Sequence, residues 1–198
     1  MDERKKFFAN EAEEWDKELT AEDLEVVSFL IDSFGIKRGD KIVDLGCGTG
    51  VLFDMLRRKV GSEGTVIGVD FCPNMLDRAK RNFPFENVYE INADVGQLPL
   101  EKESFNMAAC FAAFAHFTDP KAVMQEISRV LTRGAQFHII HLMGSGKFEE
   151  YHRRQGGPLA NDQLPTLEDM MHLFRLGHFT NIKIQDHPGL YLASGTKE

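Results

Sequence analysis

The chemistry most legible in this sequence rests on two acidic residues and three alternating glycines: Asp44, then Gly46, Gly48 and Gly50, then Asp70. The apolar run at residues 42–45 reads as a buried first strand that enters a glycine-rich turn, with a helix following at once from Val51. A strand-to-helix turn of this kind lets backbone approach a ligand closely, while the helix start offers unpaired N–H groups. Asp70 closes a second apolar run at residues 65–69, where a carboxylate can accept hydrogen bonds from a ribose diol. Together these features predict a nucleoside-containing cofactor. They do not form the dinucleotide fingerprint G-x-G-x-x-G, which needs glycine at Val51 if counted from Gly46 and at Phe53 if counted from Gly48.

The run Asp44-Leu45-Gly46-Cys47-Gly48-Thr49-Gly50 closely resembles the first motif of class I S-adenosylmethionine-dependent methyltransferases, and Asp70 falls where their ribose-binding acid falls. The resemblance implies S-adenosylmethionine as cofactor, with Asp44 and the backbone amides of the Gly46–Gly48 turn meeting its amino-acid end. Cys47, inside that turn, is a small side chain that fits near a ligand; packing is its favoured role, with redox or metal chemistry as the alternative. Phe71 is placed to cover an adenine face; Met75 lies nearby or in the core. Asn92-Ala93-Asp94-Val95, with Leu98-Pro99, resembles the third motif of the family. That resemblance implies that the Asp94 carboxylate accepts from the adenine amino group and that the Val95 amide serves a ring nitrogen; a turn or helix-capping role for Asp94 is the plainer reading. Where the family commonly has Phe-Asp at the start of strand four, this chain has Phe105-Asn106, away from the expected site.

Three histidines are candidates for the acceptor side. His116 lies in the loop after the fourth predicted strand, where members of the resembled family often carry histidine facing cofactor or substrate; packing is the alternative. His138 and His141 are three apart on the fifth strand, so alternation sets them on opposite faces, and His141 is nearer the carboxyl end. His152 follows in a polar segment with Arg153 and Arg154, and Asp162 lies further on. His141, His152 and Asp162 suit zinc or iron chemically, but their spacing matches no compact metal motif and no metal site is expected. Methyl transfer needs in-line alignment and exclusion of water, and a general base only when the nucleophile carries a proton of high pKa.

The elements that must position these residues follow from periodicity. Apolar residues at helical spacing predict a first helix over residues 6–19 and a second over 21–34, capped by Thr20. The segment Phe7 to Asp16 looks like the lead-in of small-molecule methyltransferases of the ubiquinone/menaquinone type, which implies a helical lid at residues 1–34, carrying Trp15, over cofactor and substrate. Short strands are expected at residues 42–45, 65–69, 88–92, 105–111 and 136–142, with helices at 51–60, 74–82 and 120–131 between them and Gly134 as punctuation. This alternation predicts an α/β fold with an open, doubly wound, mostly parallel sheet and helices on both faces. A helix at about 148–154, a capped helix at 167–176 and two closing strands at 181–185 and 190–194 suggest an appended antiparallel hairpin. The resulting seven-stranded, Rossmann-like sheet, its last strand beside strand five, resembles the methyltransferase fold over nearly the whole of residues 1–198, read as one domain.

The totals restrict the partner. The chain has 198 residues, 42% of them apolar, enough for one sizeable core. A net charge of -8 and a pI near 5.4 provide no basic footprint for a long nucleic acid, so a small-molecule substrate is favoured. Cys47, Cys72 and Cys110 form no disulfide framework and no C-x-x-C pair. No apolar run approaches the roughly 20 residues of a membrane span, and residues 1–6 lead into no signal-type segment, so the expected location is cytoplasmic. The sequence specifies no oligomeric state. The leading expectation is methyl transfer from S-adenosylmethionine to a small molecule. Two others stand beside it: metalloid- or corrinoid-linked methylation with histidine ligands, and a non-catalytic cofactor- or partner-binding protein on the same fold.

Overall fold

Residues 3–198 are described in the computed structural model, and Met1 and Asp2, the first residues of the expected lid, lie outside the described residues. Seven strands, β1 Lys41–Leu45, β2 Thr65–Asp70, β3 Val88–Asn92, β4 Phe105–Phe111, β5 Leu131–His141, β6 Phe179–His187 and β7 Leu190–Lys197, form one sheet in the order β3-β2-β1-β4-β5-β7-β6. Neighbours from β3 through β5 run parallel, and β7 pairs antiparallel with both β5 and β6. Strand order reverses between β1 and β4, which makes their carboxyl ends the switch point at which doubly wound sheets bind ligands. Asn106, the departure from the family's Phe-Asp pair, accepts a hydrogen bond from the Lys41 amide (2.8 Å) and ties β4 to the start of β1.

Alternation along the strands feeds two cores. Val43, Leu45, Ala108, Cys110, Phe137 and Ile139 pack against helices α5 Pro120–Val130 and α7 Leu167–Leu176. Ile42, Met107, Ala109 and Ile140 face α2 Ala21–Ser33, α3 Phe53–Val60 and α4 Pro73–Asn82. The remaining helices are α1 Glu3–Glu11 and α6 Ser145–Gln155. Among the described residues, no helix is long and apolar enough to cross a membrane.

Several boundaries differ from the sequence reading; α6 starts at Ser145 rather than near residue 148, and four other places differ for a tertiary reason. The first helix does not run to residue 19. α1 ends at Glu11, a turn follows, and a 3₁₀ turn at Trp15–Glu18 brings Trp15 against Phe8 with ring centroids 5.4 Å apart. α3 starts at Phe53 because residues 47–53 first make two tight turns, the Gly50 amide donating to the Cys47 carbonyl and the Phe53 amide to the Gly50 carbonyl (2.9 Å each). β5 begins at Leu131 and Gly134 is no stop. The β4 pairing jumps from Phe105↔Leu131 to Met107↔Gln136, and Gly134 takes φ +80° inside that bulge. Both hairpin strands are longer than expected, with a second bulge between Thr180 and Lys183, where Asn181 has φ +49°. By contrast, the capping box at Thr20 is formed in both directions: Thr20 Oγ1 accepts from the Asp23 amide (3.1 Å), and Asp23 Oδ2 accepts from the Thr20 amide (2.9 Å).

Candidate active site

A cavity of about 1000 Å³ opens at the carboxyl ends of β1, β2, β4 and β5, roofed by α1 and the Trp15–Glu18 turn. All twelve residues nominated from the sequence line it: Asp44, Gly46, Cys47, Gly48, Asp70, Phe71, Met75, Asp94, Val95, His116, His141 and His152.

On the β1–β2 side, Asp44 is 1% exposed and neither of its carboxylate oxygens has a hydrogen-bond partner among the described residues. Burial, reinforced by the neighbouring Asp70 charge, pushes its carboxyl from the ordinary 3.8 up to about 8. Burial also raises Asp70, but the amides of Cys72 (2.8 Å to Oδ1) and Gly48 (2.9 Å to Oδ2) and the Lys5 charge work against that rise. The glycine turn departs from the sequence expectation. Its amides are engaged inside the fold, those of Gly46 and Cys47 with the Val69 carbonyl and that of Gly48 with Asp70, so the turn does not aim them at a ligand. What it leaves unsatisfied is the Asp44 carboxyl. Gly46 combines φ +65° with contact: a Cβ there would stand 2.5 Å from that of Ala113. Cys47 packs its sulfur against β2, where a Cβ on Gly68 would meet it at 2.8 Å, and burial raises its thiol well above the ordinary value. Phe71 meets Phe8 edge to face (5.7 Å), and Met75 is buried with Phe8, Ala12, Cys72 and Leu159. Asp94 is exposed and accepts from the Gly96 amide through Oδ1 (2.7 Å), while Val95 is buried.

On the β4–β5 side, His116 ends a 3₁₀ turn, Phe114–His116, and its Nδ1 lies 2.6 Å from Asp162 Oδ2. The His152 ring stands edge-on to that of His116 at 5.3 Å. His141 is buried, its ring nearly perpendicular to those of Phe148 and Tyr191, and Nε2 has no partner among the described residues; burial above all lowers it to about 3, so it is neutral. His138 lies on the opposite face, stacked on Phe34 at 3.6 Å, and takes no part in the site.

Two contributors were missed in the sequence. Arg4, from α1, forks onto Asp162, Nη1 to Oδ1 at 2.8 Å and Nη2 to Oδ2 at 2.6 Å. Thr49 in the glycine turn donates to Asp16 of the Trp15–Glu18 turn. Both join residues far apart in sequence, and no local spacing signals them. Asp162 is thus committed to Arg4 and His116, and among the described residues no group of three or more His, Cys, Asp or Glu has the geometry to hold a metal ion.

A switch-point cavity with an acidic residue near the carboxyl end of each of the first two strands suits a nucleoside-containing cofactor. The profile of a methyltransferase-domain family matches residues 36–178, and the chain belongs to that family, on the class I S-adenosylmethionine-dependent fold. The 2-phytyl-1,4-naphtoquinone methyltransferase of Trichormus variabilis is 38% identical over 110 residues, 54% of this chain and 48% of that protein. The demethylmenaquinone methyltransferase of Staphylococcus aureus is 34% identical over 106 residues, 53% of this chain and 44% of that protein. The chain therefore spans about half the length of the curated relatives it matches. A chain from the complex between the Trm112 methyltransferase activator of Haloferax volcanii and a methyltransferase superposes with a TM-score of 0.82 at 18% identity, over 96% of each chain. At that identity the likeness speaks for the fold alone.

Proposed function

We propose that this protein transfers the methyl group of S-adenosylmethionine to a small-molecule acceptor. The observation that carries the reading is the Asp44 carboxyl, buried without a partner beside Asp70 in a cavity at the strand-order reversal. A buried carboxyl with no donor is costly unless a ligand supplies one. S-adenosylmethionine carries the matching charge, an ammonium and a sulfonium, and when bound supplies an electrophilic methyl. In this reading Asp44 faces the cationic amino-acid end. Asp70, which accepts from the Gly48 and Cys72 amides, receives the ribose hydroxyls. Phe71 and Met75 flank the adenine, with Asp94 and Val95 at its edge; Gly46, Cys47 and Gly48 shape the wall. His116, His141 and His152 face the acceptor. Phe8, Trp15, Phe117 and Phe148 line the cavity and exclude water from it.

We assign residues 1–34 as a lid within a single methyltransferase domain spanning 1–198, supported by Arg4, Phe8 and Trp15 lining the cavity. The names of the relatives, a 2-phytyl-1,4-naphtoquinone and a demethylmenaquinone methyltransferase, favour a naphthoquinone-type ring as acceptor. The free thiols of Cys47, Cys72 and Cys110 suit a reducing compartment, and we place the protein in the cytoplasm. Calorimetric titration with S-adenosylhomocysteine tests the reading. Micromolar binding that weakens at least tenfold in Asp70→Ala is expected, and no heat at millimolar ligand would refute it.

A further inference from the structure

Arg4 does more than latch a helix. Besides its fork onto Asp162, Nη2 donates to the backbone carbonyl of His116 at 2.9 Å, and Nη1 reaches the Pro158 carbonyl at 3.4 Å. One guanidinium therefore fixes both the carboxylate that touches the His116 ring and the backbone from which that ring hangs. Asp162 accepts on Oδ1 from Arg4 and on Oδ2 from Arg4 and, at 2.6 Å, from His116 Nδ1. Burial pushes the Asp162 carboxyl up, but the hydrogen bonds from His116 and Arg4 and the Arg4 charge hold it below the ordinary range, so it is ionised and can only accept. His116 Nδ1 must then carry the proton, and a neutral ring keeps its lone pair on Nε2. A carboxylate on Nδ1 orients the catalytic imidazole of serine hydrolases in the same way.

We propose that His116 Nε2 is the general base for the acceptor, that Asp162 and Arg4 are its positioning residues, and that the acceptor is an aromatic alcohol whose hydroxyl must ionise before methylation. The proposal rests on the S-adenosylmethionine reading of the cavity. The acceptor O–H bond breaks, its proton passes to Nε2, and the electron pair stays on the acceptor oxygen, which receives the methyl group. The imidazolium formed is paired with Asp162 and returns its proton to solvent. The aromatic walls supplied by Phe8 and Phe148, whose rings lie 5.6 and 6.0 Å from that of His116, suit a flat acceptor. Because Arg4 sits on α1, the base is complete only when the N-terminal segment is seated.

Nitrogen-15 NMR of the histidine rings reads the tautomer directly, with and without S-adenosylhomocysteine. Wild type is expected to show His116 with Nδ1 protonated and Nε2 bare. Asp162→Asn and Arg4→Ala shift it towards the Nε2–H form, and Arg4→Lys restores part of the wild-type signal. An Nε2–H ring in wild type, or one tautomer in all four proteins, overturns the proposal. With 1,4-naphthohydroquinone and 1-naphthylamine as probes, the hydroquinone alone is expected to be methylated. In His116→Gln its kcat falls about a hundredfold, with KM and S-adenosylhomocysteine affinity within threefold of wild type. Transfer to the amine, an unchanged kcat, or no transfer to the hydroquinone by enzyme that binds S-adenosylhomocysteine each counts against the proposal. Failure of wild type to bind S-adenosylhomocysteine would overturn the cofactor reading instead, while the ligand-free tautomer still reports on the dyad.

Discussion

At the end of β1 the Asp44 side chain is buried, its oxygens lack donors, and Asp70 stands beside it, so its ionisation is opposed twice over. The sign of the consequence follows from linkage. With its folded pKa raised from 3.8 to about 8, the native state holds a proton that the unfolded chain releases, and stability falls as pH rises through that window. Asp44→Asn removes this dependence. Urea unfolding from pH 4 to pH 8 is expected to show the variant gaining on wild type as pH rises, by on the order of a few kcal/mol at the alkaline end, since each pKa unit is worth about 1.4 kcal/mol. Parallel curves would refute the assignment. Asp44 and Asp70 were legible in the sequence because a glycine turn and a strand end announce them. Arg4 was not, since its meaning lies in Asp162, 158 residues away.

The N-terminal elements show where local pattern stops being informative. Phe8, Ala12, Trp15 and Leu19 fit a helical period, which is why a single helix was expected. The break after Glu11 is imposed from outside the segment: Asp16 is claimed by Thr49, Glu13 by Arg78 and Arg81 of α4, and Phe8 by a cluster that includes Met75 and Leu159. α2 begins where the sequence said because its signal, the Thr20 cap, is local, and the structure completes it as a reciprocal box with Asp23. Asp16→Ala should therefore loosen the segment without touching α2. Amide exchange at residues 3–17 is expected to speed up about tenfold, the loss of roughly one hydrogen bond, while that of α2 stays unchanged. Equal acceleration in both would mean that they open as one unit.

Over the whole molecule, strand alternation and glycine punctuation made the parallel half of the sheet readable, and the hairpin's place beside β5 came from resemblance. The bulges at Gly134 and Asn181 were not readable, because each answers to pairing with a neighbouring strand. The two ends of the N-terminal segment grip opposite halves of one cavity, Asp16 at the glycine turn and Arg4 at the histidine side. In the proposed lid role, one segment would cover the cofactor half and the acceptor half of the cavity together. Turnover then has a mechanical ceiling set by how fast such a door swings through solvent, so kcat should fall in proportion to viscosity as sucrose is added, and a flat response would show that the door is never the slow step.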